Sequence, residues 1–144
     1  MKEFKIEEII LVDDDTIVRL VVQRILRCIG FTGKIFPFIN GFEAIMSIKN
    51  QVETNSFTFS PNRKLILLDI NMPIMNGWEF LNEFSMLPPE VKNEFIVTMI
   101  TGSISEEDKS QAFSFPEVKD YIQKPVSEKY VLDFFSKFDL YEEK

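Results

Sequence analysis

Four short apolar runs, each closed by a polar residue of a type that does chemistry, limit most tightly how this chain can fold. Ile9-Ile10-Leu11-Val12 leads into Asp13, Asp14 and Asp15, and Leu65-Ile66-Leu67-Leu68 leads into Asp69. Phe95-Ile96-Val97-Thr98-Met99-Ile100 ends at Thr101, and Val118-Lys119-Asp120-Tyr121-Ile122 is closed by Lys124-Pro125. Runs this short and this apolar, separated by stretches of helical periodicity, read as central strands of a parallel sheet covered on both faces. In open sheets of that kind, ligands bind beyond the carboxyl ends of the strands. The chain therefore sets Asp13, Asp14, Asp69, Thr101 and Lys124 along one edge, where their side chains can converge.

The segments between the runs supply the other layers. Residues 16–30 repeat apolar side chains at helical spacing, with Ile17, Val21 and Cys28 beside Val18, Val22, Ile25 and Ile29. That pattern predicts a wide buried stripe, with Cys28 as a small buried hydrophobe. Thr16 or a preceding Asp suits the N-cap, and Gly30 suits the position just past the C-cap. Lys34-Ile35-Phe36-Pro37-Phe38 reads as an edge strand, where the missing proline N–H does no harm. Asn40-Gly41 opens a helix to about Asn50, residues 51–64 read as a polar loop, and a helix from Trp78 to about Leu87 stops at Pro88-Pro89. Ser105 and Ser127 cap two further helices, the last carrying Val131, Phe134, Phe135 and Phe138. Five βα units joined by right-handed crossovers predict an α/β fold, a three-layer αβα sandwich around a five-stranded parallel sheet.

At 144 residues the chain has the size of a single domain, with a core expected over about residues 9–138. Fifteen Phe and 45% hydrophobic residues are enough to fill it. A net charge of −7 argues against direct binding of nucleic acid or insertion at an anionic membrane, both of which rest on Lys/Arg patches. The N-terminus has no signal-peptide pattern and no run approaches membrane length, so a cytoplasmic protein is expected. The lone cysteine rules out a disulfide framework, and the absence of histidine rules out a His-based triad or a His-ligated metal on this chain.

Three carboxylates meeting at one edge repel one another. At about 4 Å and an effective dielectric near 20, each like-charge pair costs on the order of 4 kcal/mol. A raised pKa or a bound cation relieves that repulsion. Hard oxygen donors with no imidazole or thiolate among them suit Mg²⁺. A carboxylate beside such an ion, a lysine and a hydroxyl has what phosphoryl transfer to an aspartate requires.

Val12-Asp13-Asp14-Asp15, Leu68-Asp69-Ile70-Asn71-Met72-Pro73, Asn76-Gly77, Ile100-Thr101-Gly102 and Lys124-Pro125 together resemble the receiver domain of two-component response regulators, in that family's order and approximate spacing. The resemblance implies the flavodoxin-like (βα)5 receiver fold, with Asp69 as phospho-acceptor. It implies Asp14, Asp69 and the backbone carbonyl of Asn71 as direct Mg²⁺ ligands, with Asp13 acting through a bound water. Thr101 matches the hydroxyl that moves towards the acyl phosphate, Lys124 the lysine that pairs with it, commonly before a cis proline, and Tyr121 the aromatic switch. Asn71 and Ser103 match positions that influence how water reaches the phosphoryl group.

By the same resemblance the implied partners are a sensor histidine kinase or a His-containing phosphotransfer protein, together with a downstream protein target that the sequence does not name. No room for an output domain follows Lys124-Pro125, so a stand-alone signalling protein resembling the chemotaxis regulators is expected, a phosphoprotein with at most weak self-phosphorylation and autophosphatase activity. Two other readings stay open on residues alone. A haloacid-dehalogenase-type phosphatase would use Asp13 as nucleophile with Asp15 as its Asp-x-Asp partner, but lacks a later acidic pair and leaves Asp69-Ile-Asn-Met-Pro without a purpose. A non-phosphorylated binding module of the same fold would ordinarily have lost an acid, the Thr or the Lys, and none is lost. Asp15 reads as a helix cap, and Tyr121 is also readable as a half-buried strand residue.

Overall fold

Alternate residues of each central strand enter two separate cores, as expected when helices cover both faces of a sheet. The computed structural model describes residues 2–102 and 105–143. Its strands are β1 (Lys2–Phe4), β2 (Ile6–Val12), β3 (Lys34–Phe38), β4 (Arg63–Asp69), β5 (Phe95–Thr101), β6 (Val118–Gln123) and β7 (Tyr141–Glu143). Helices α1 (Thr16–Cys28), α2 (Gly41–Glu53), α3 (Gly77–Ser85), α4 (Pro89–Lys92), α5 (Glu106–Phe113) and α6 (Glu128–Lys137) connect them. Five strands form one parallel sheet in the order β3-β2-β4-β5-β6. Ile10, Val12, Ile66, Leu68, Val97 and Met99 pack under α2, α3 and α5. Ile9, Leu11, Leu65, Leu67, Ile96 and Ile100 pack under α1 and α6. The predicted αβα sandwich is the observed one, and β3, with its Pro37, is an edge strand; β6, read as a central strand, is the other edge, where Lys119 and Asp120 can remain only partly covered.

The helix boundaries follow local chemistry. Asp15 caps α1 by accepting from the amides of Ile17 and Val18, and Gly30 takes a φ of 102° just past its end. Asn40 caps α2, which runs to Glu53, three residues beyond the predicted end; the connection to β4 is accordingly shorter than expected. Asn76 and Glu79 form a reciprocal capping box at the start of α3. The short helix α4 begins on Pro89, where a proline lacking its N–H is tolerated.

Three features depart from the sequence reading. The buried stripe of α1 is narrower than predicted: Val22, Leu26 and Ile29 are buried, whereas Ile17, Leu20, Val21 and Cys28 are exposed. Cys28 lies two positions from Leu26, on the far side of the helix wheel, so its apolar neighbours did not carry it inward. The second departure is a two-stranded antiparallel sheet made by β1 and β7, which joins the two ends of the chain. Phe4 packs there edge-on against Phe31 and Phe135 and stacks on Tyr141. The third is Lys64 at the head of β4, 1% exposed. Its ammonium lies 3.2 Å from Glu7, 3.5 Å from Glu8 and 2.8 Å from the Thr58 hydroxyl, with the Phe57 ring 4.7 Å away. It ties the 54–62 connection to the sheet; Phe57 joins the core while Phe59 stays exposed.

Candidate functional site

The register of the sheet brings the ends of its strands level. Val12 pairs with Leu68, Asp69 with Ile100, and Thr101 with Gln123. The next residues therefore emerge together at the carboxyl edge. Asp13, Asp69 and Thr101 are buried there, and Asp14 is exposed at the mouth. One carboxylate oxygen from each of Asp13, Asp14 and Asp69 lies within 4.8 Å of the others.

Lys124 follows β6 at this edge: its amide donates to the Thr101 carbonyl at 2.7 Å, and the bond to Pro125 is cis. Its Nζ lies 2.9 Å from Asp13 Oδ2 and 3.5 Å from Asp69 Oδ1. Asp13 Oδ1 accepts from the Asp15 amide, and Asp69 Oδ1 accepts from the amide of Ile70. Burial, followed by the Asp13 charge, pushes the Asp69 carboxyl up to about 6, against the opposing pull of Lys124 and the Ile70 amide; Asp14 adds a smaller upward push. For Lys124, burial works against the charge, but Asp13 and then Asp69 outweigh it and hold the ammonium above its ordinary range. The donor set of three hard carboxylate oxygens, facing one ammonium and thus carrying excess negative charge, fits a divalent cation such as Mg²⁺.

The loop after Asp69 is fixed at several points. Gly77 donates to the Ile70 carbonyl at 2.8 Å, and Gly41, at the start of α2, donates to the Met75 carbonyl at 3.0 Å. A Cβ on Gly77 would stand 2.5 Å from the Asp69 carbonyl oxygen, so no larger residue fits without moving the backbone that carries Asp69. Between these anchors Ile74 has a φ of 69° under a Met75 N–H to Pro73 carbonyl bond, a γ-turn of the strained, positive-φ kind. Asn71 is exposed on the same loop.

Across the pocket, Tyr121 is half-buried against the α2–α3–α5 core and its hydroxyl is shielded from solvent. Burial and then the Asp108 carboxylate push its phenol above the ordinary value, while the neighbouring Thr101 side chain acts the other way. Ser103 lies outside the described residues.

Asp13, Asp14, Asp69 and Lys124 come together at the carboxyl edge; Thr101 ends β5 beside them, its carbonyl bound to the Lys124 amide, with Tyr121 on the neighbouring strand. Asp15 turns its carboxylate to the cap of α1 and away from the pocket. Two neighbours escaped notice in the sequence. Arg19 donates to the Asp13 carbonyl at 2.6 Å, and Asp108 faces Tyr121 from the first turn of α5. Arg19 was traceable as a cation six residues past Asp13 at the start of the first helix; Asp108 looked like an ordinary acid in a helix first turn.

A family model described as the response regulator receiver domain matches residues 9–135. The probable methanogenesis regulatory protein FilR2 of Methanothrix harundinacea is 28% identical over 119 residues, which cover 83% of this chain and 72% of that protein. A two-component response regulator from Cytophaga hutchinsonii superposes with a TM-score of 0.77 at 27% identity, over 92% of this chain and 96% of its own. A CheX–CheY–BeF3–Mg²⁺ complex from Borrelia burgdorferi is similar at a TM-score of 0.71 and 26% identity, over 91% and 88% of the two chains.

Proposed function

The chain belongs to the response regulator receiver domain family, a signalling module of two-component systems, and on that basis we propose that it accepts a phosphoryl group on Asp69 from a histidine donor and signals by a change of surface shape. The observation that carries this reading is Lys124, held 2.9 Å from Asp13 and 3.5 Å from Asp69 inside a trio of carboxylates. A strongly paired lysine among buried acids suits the neutralisation of charge that develops on a transferred phosphoryl group.

In the proposed reaction an Asp69 carboxylate oxygen attacks phosphorus on the donor. The new P–O bond forms as the donor P–N bond breaks, and the departing imidazole nitrogen takes up a proton. With a pKa near 6 in the absence of a cation, Asp69 is mostly ionised at neutral pH and able to attack. Mg²⁺, when bound, would neutralise negative charge on the phosphoryl oxygens. Asp14, Asp69 and the Asn71 carbonyl would hold it directly, with Asp13 acting through water. Lys124 would pair with a phosphoryl oxygen, and Thr101 would donate its hydroxyl to another. Movement of Thr101 would change the surroundings of the Tyr121 hydroxyl, which links the pocket to the face of β6 and α6.

A protein donor must cover the rim of the pocket to reach Asp69. The outward side of α1 beside that rim carries exposed Ile17 and Leu20, and Ile17, Val21, Lys124, Pro125 and Val126 line an apolar groove there. An apolar patch next to the acceptor suits the docking of a histidine-bearing kinase or phosphotransfer helix. The phosphatase alternative loses support from Asp15, whose carboxylate serves as the α1 cap.

The test is intact mass after incubation with acetyl phosphate, with and without Mg²⁺, for wild type and Asp69→Asn. The expected result is a Mg²⁺-dependent gain of one phosphoryl group in wild type only. No adduct in folded wild type, and none trapped by beryllofluoride, would sink the reading in favour of a binding module without phosphotransfer.

A further inference from the structure

Every polar group of Asp13 has a partner within the chain. Its amide donates to the Phe38 carbonyl at 3.1 Å, Oδ1 accepts from the Asp15 amide at 2.9 Å, and Oδ2 pairs with Lys124 at 2.9 Å. Its carbonyl accepts from Arg19 Nη1 at 2.6 Å, while Arg19 Nη2 donates to the Thr16 hydroxyl at 3.2 Å. The planar guanidinium therefore spans the end of β2 and the first turn of α1, through a short charge-assisted bond on one side.

That carbonyl belongs to the peptide joining Asp13 to Asp14. Fixing it fixes the plane from which the Asp14 Cα departs. Asp14 itself is exposed, and its carboxylate accepts no hydrogen bond among the described residues. Its place near Asp13 and Asp69 is therefore set by the backbone, which Arg19 holds at the peptide before Asp14 and the Asp13 carboxylate holds at the peptide after it. We propose that Arg19 is a positioning residue, which by clamping the Asp13 carbonyl to α1 keeps Asp14 aimed at the other two carboxylates and so sets the affinity of the trio for a divalent cation. This inference rests on the receiver reading above and adds to it a determinant of cation affinity that is not itself a ligand.

A bare positive charge at Arg19 would have the opposite effect, since a cation near the pocket repels another. The two ideas separate in Arg19→Lys, which keeps the charge and loses the fork, and Arg19→Gln, which loses both. The probe is Mn²⁺, titrated against each folded variant and followed by loss of the free-ion electron paramagnetic resonance signal. Thermal melts in chelator identify any variant that has lost its fold, and Arg19→Lys alone suffices if Arg19→Gln has. Arg24→Gln, an exposed change on the same helix, serves as control.

Both Arg19 variants are expected to bind Mn²⁺ about tenfold more weakly than wild type, the usual scale for a lost support of a metal-site group. Phosphorylation by acetyl phosphate should recover at saturating Mn²⁺, because the defect lies in cation binding. Unchanged affinity in Arg19→Lys, with either unchanged or tighter binding in Arg19→Gln, would overturn the proposal. Wild type that takes up no Mn²⁺ would overturn the receiver reading and this inference with it. Uptake by wild type with unaltered variants would overturn the inference alone.

Discussion

Lys124 is paired with Asp13 at 2.9 Å and stands 3.5 Å from Asp69, although Asp69 is the carboxylate whose ionisation the pocket resists. The lysine is thus anchored on one acid while remaining within reach of the other. Lys124→Met should leave two buried carboxylates facing each other and lower stability in chelator by about 2 kcal/mol, below the usual cost of breaking a fully buried pair because Lys124 is partly exposed. Added Mg²⁺ should restore much of the loss. Urea denaturation with and without Mg²⁺ checks this; equal loss in both conditions would sink the pairing argument.

Asp69 predicts a pH dependence whose sign is fixed by its raised pKa. Its value rises from 3.8 to about 6 in the folded protein, so its favourable contribution is complete below pH 3.8 and is lost as pH rises through 6. Two pKa units correspond to about 3 kcal/mol. In chelator, Asp69→Asn should remove this decline between pH 4 and 6 and be the more stable protein at pH 7. Parallel stability profiles for the two proteins would refute it.

Lys64 is buried against Glu7 and Glu8 at the opposite end of the sheet, and Lys64→Met leaves both acids without their cation. The expected cost is about 3 kcal/mol, with amide exchange rising across residues 54–62 as the Thr58 contact is lost. Unchanged exchange in that segment would show that the loop is held by Phe57 and by the Ser60 amide on Glu94, without Lys64.

Ile74 holds a backbone conformation that a β-branched residue rarely adopts, and its side chain is 79% exposed, so packing does little to retain it. Ile74→Asn should raise stability by about 1 kcal/mol in urea denaturation. A loss of stability would mean that the isoleucine makes contacts worth more than the strain.

What could be read from the sequence was whatever is written as a run and its stop. Three apolar strands running into Asp13, Asp69 and Thr101 name both the sheet and its functional edge, because period and terminus coincide in one stretch of chain, whereas the mixed run before Lys124 belongs to an edge strand. Lys64 was illegible for the converse reason: a charged residue at the head of a strand resembles any solvated terminus until Glu7, Glu8 and Thr58 surround it. The ribbon of β1 and β7 pairs three-residue segments from opposite ends of the chain, too short for any periodicity. Cys28 and the outer residues of α1 show the limit of composition, since an apolar helix can leave part of its apolar surface to solvent.

The anchoring of the loop after Asp69 turns that wall of the pocket into a fixed reference. Gly77 is fastened to Ile70, Gly41 to Met75, and Asn76 and Glu79 lock the helix start between them. A Cβ on Gly77 would strike the Asp69 carbonyl oxygen, so the helix start and the acceptor backbone lie in direct contact. The acceptor and the N-terminus of α3 are therefore geared together: neither can shift without carrying the other.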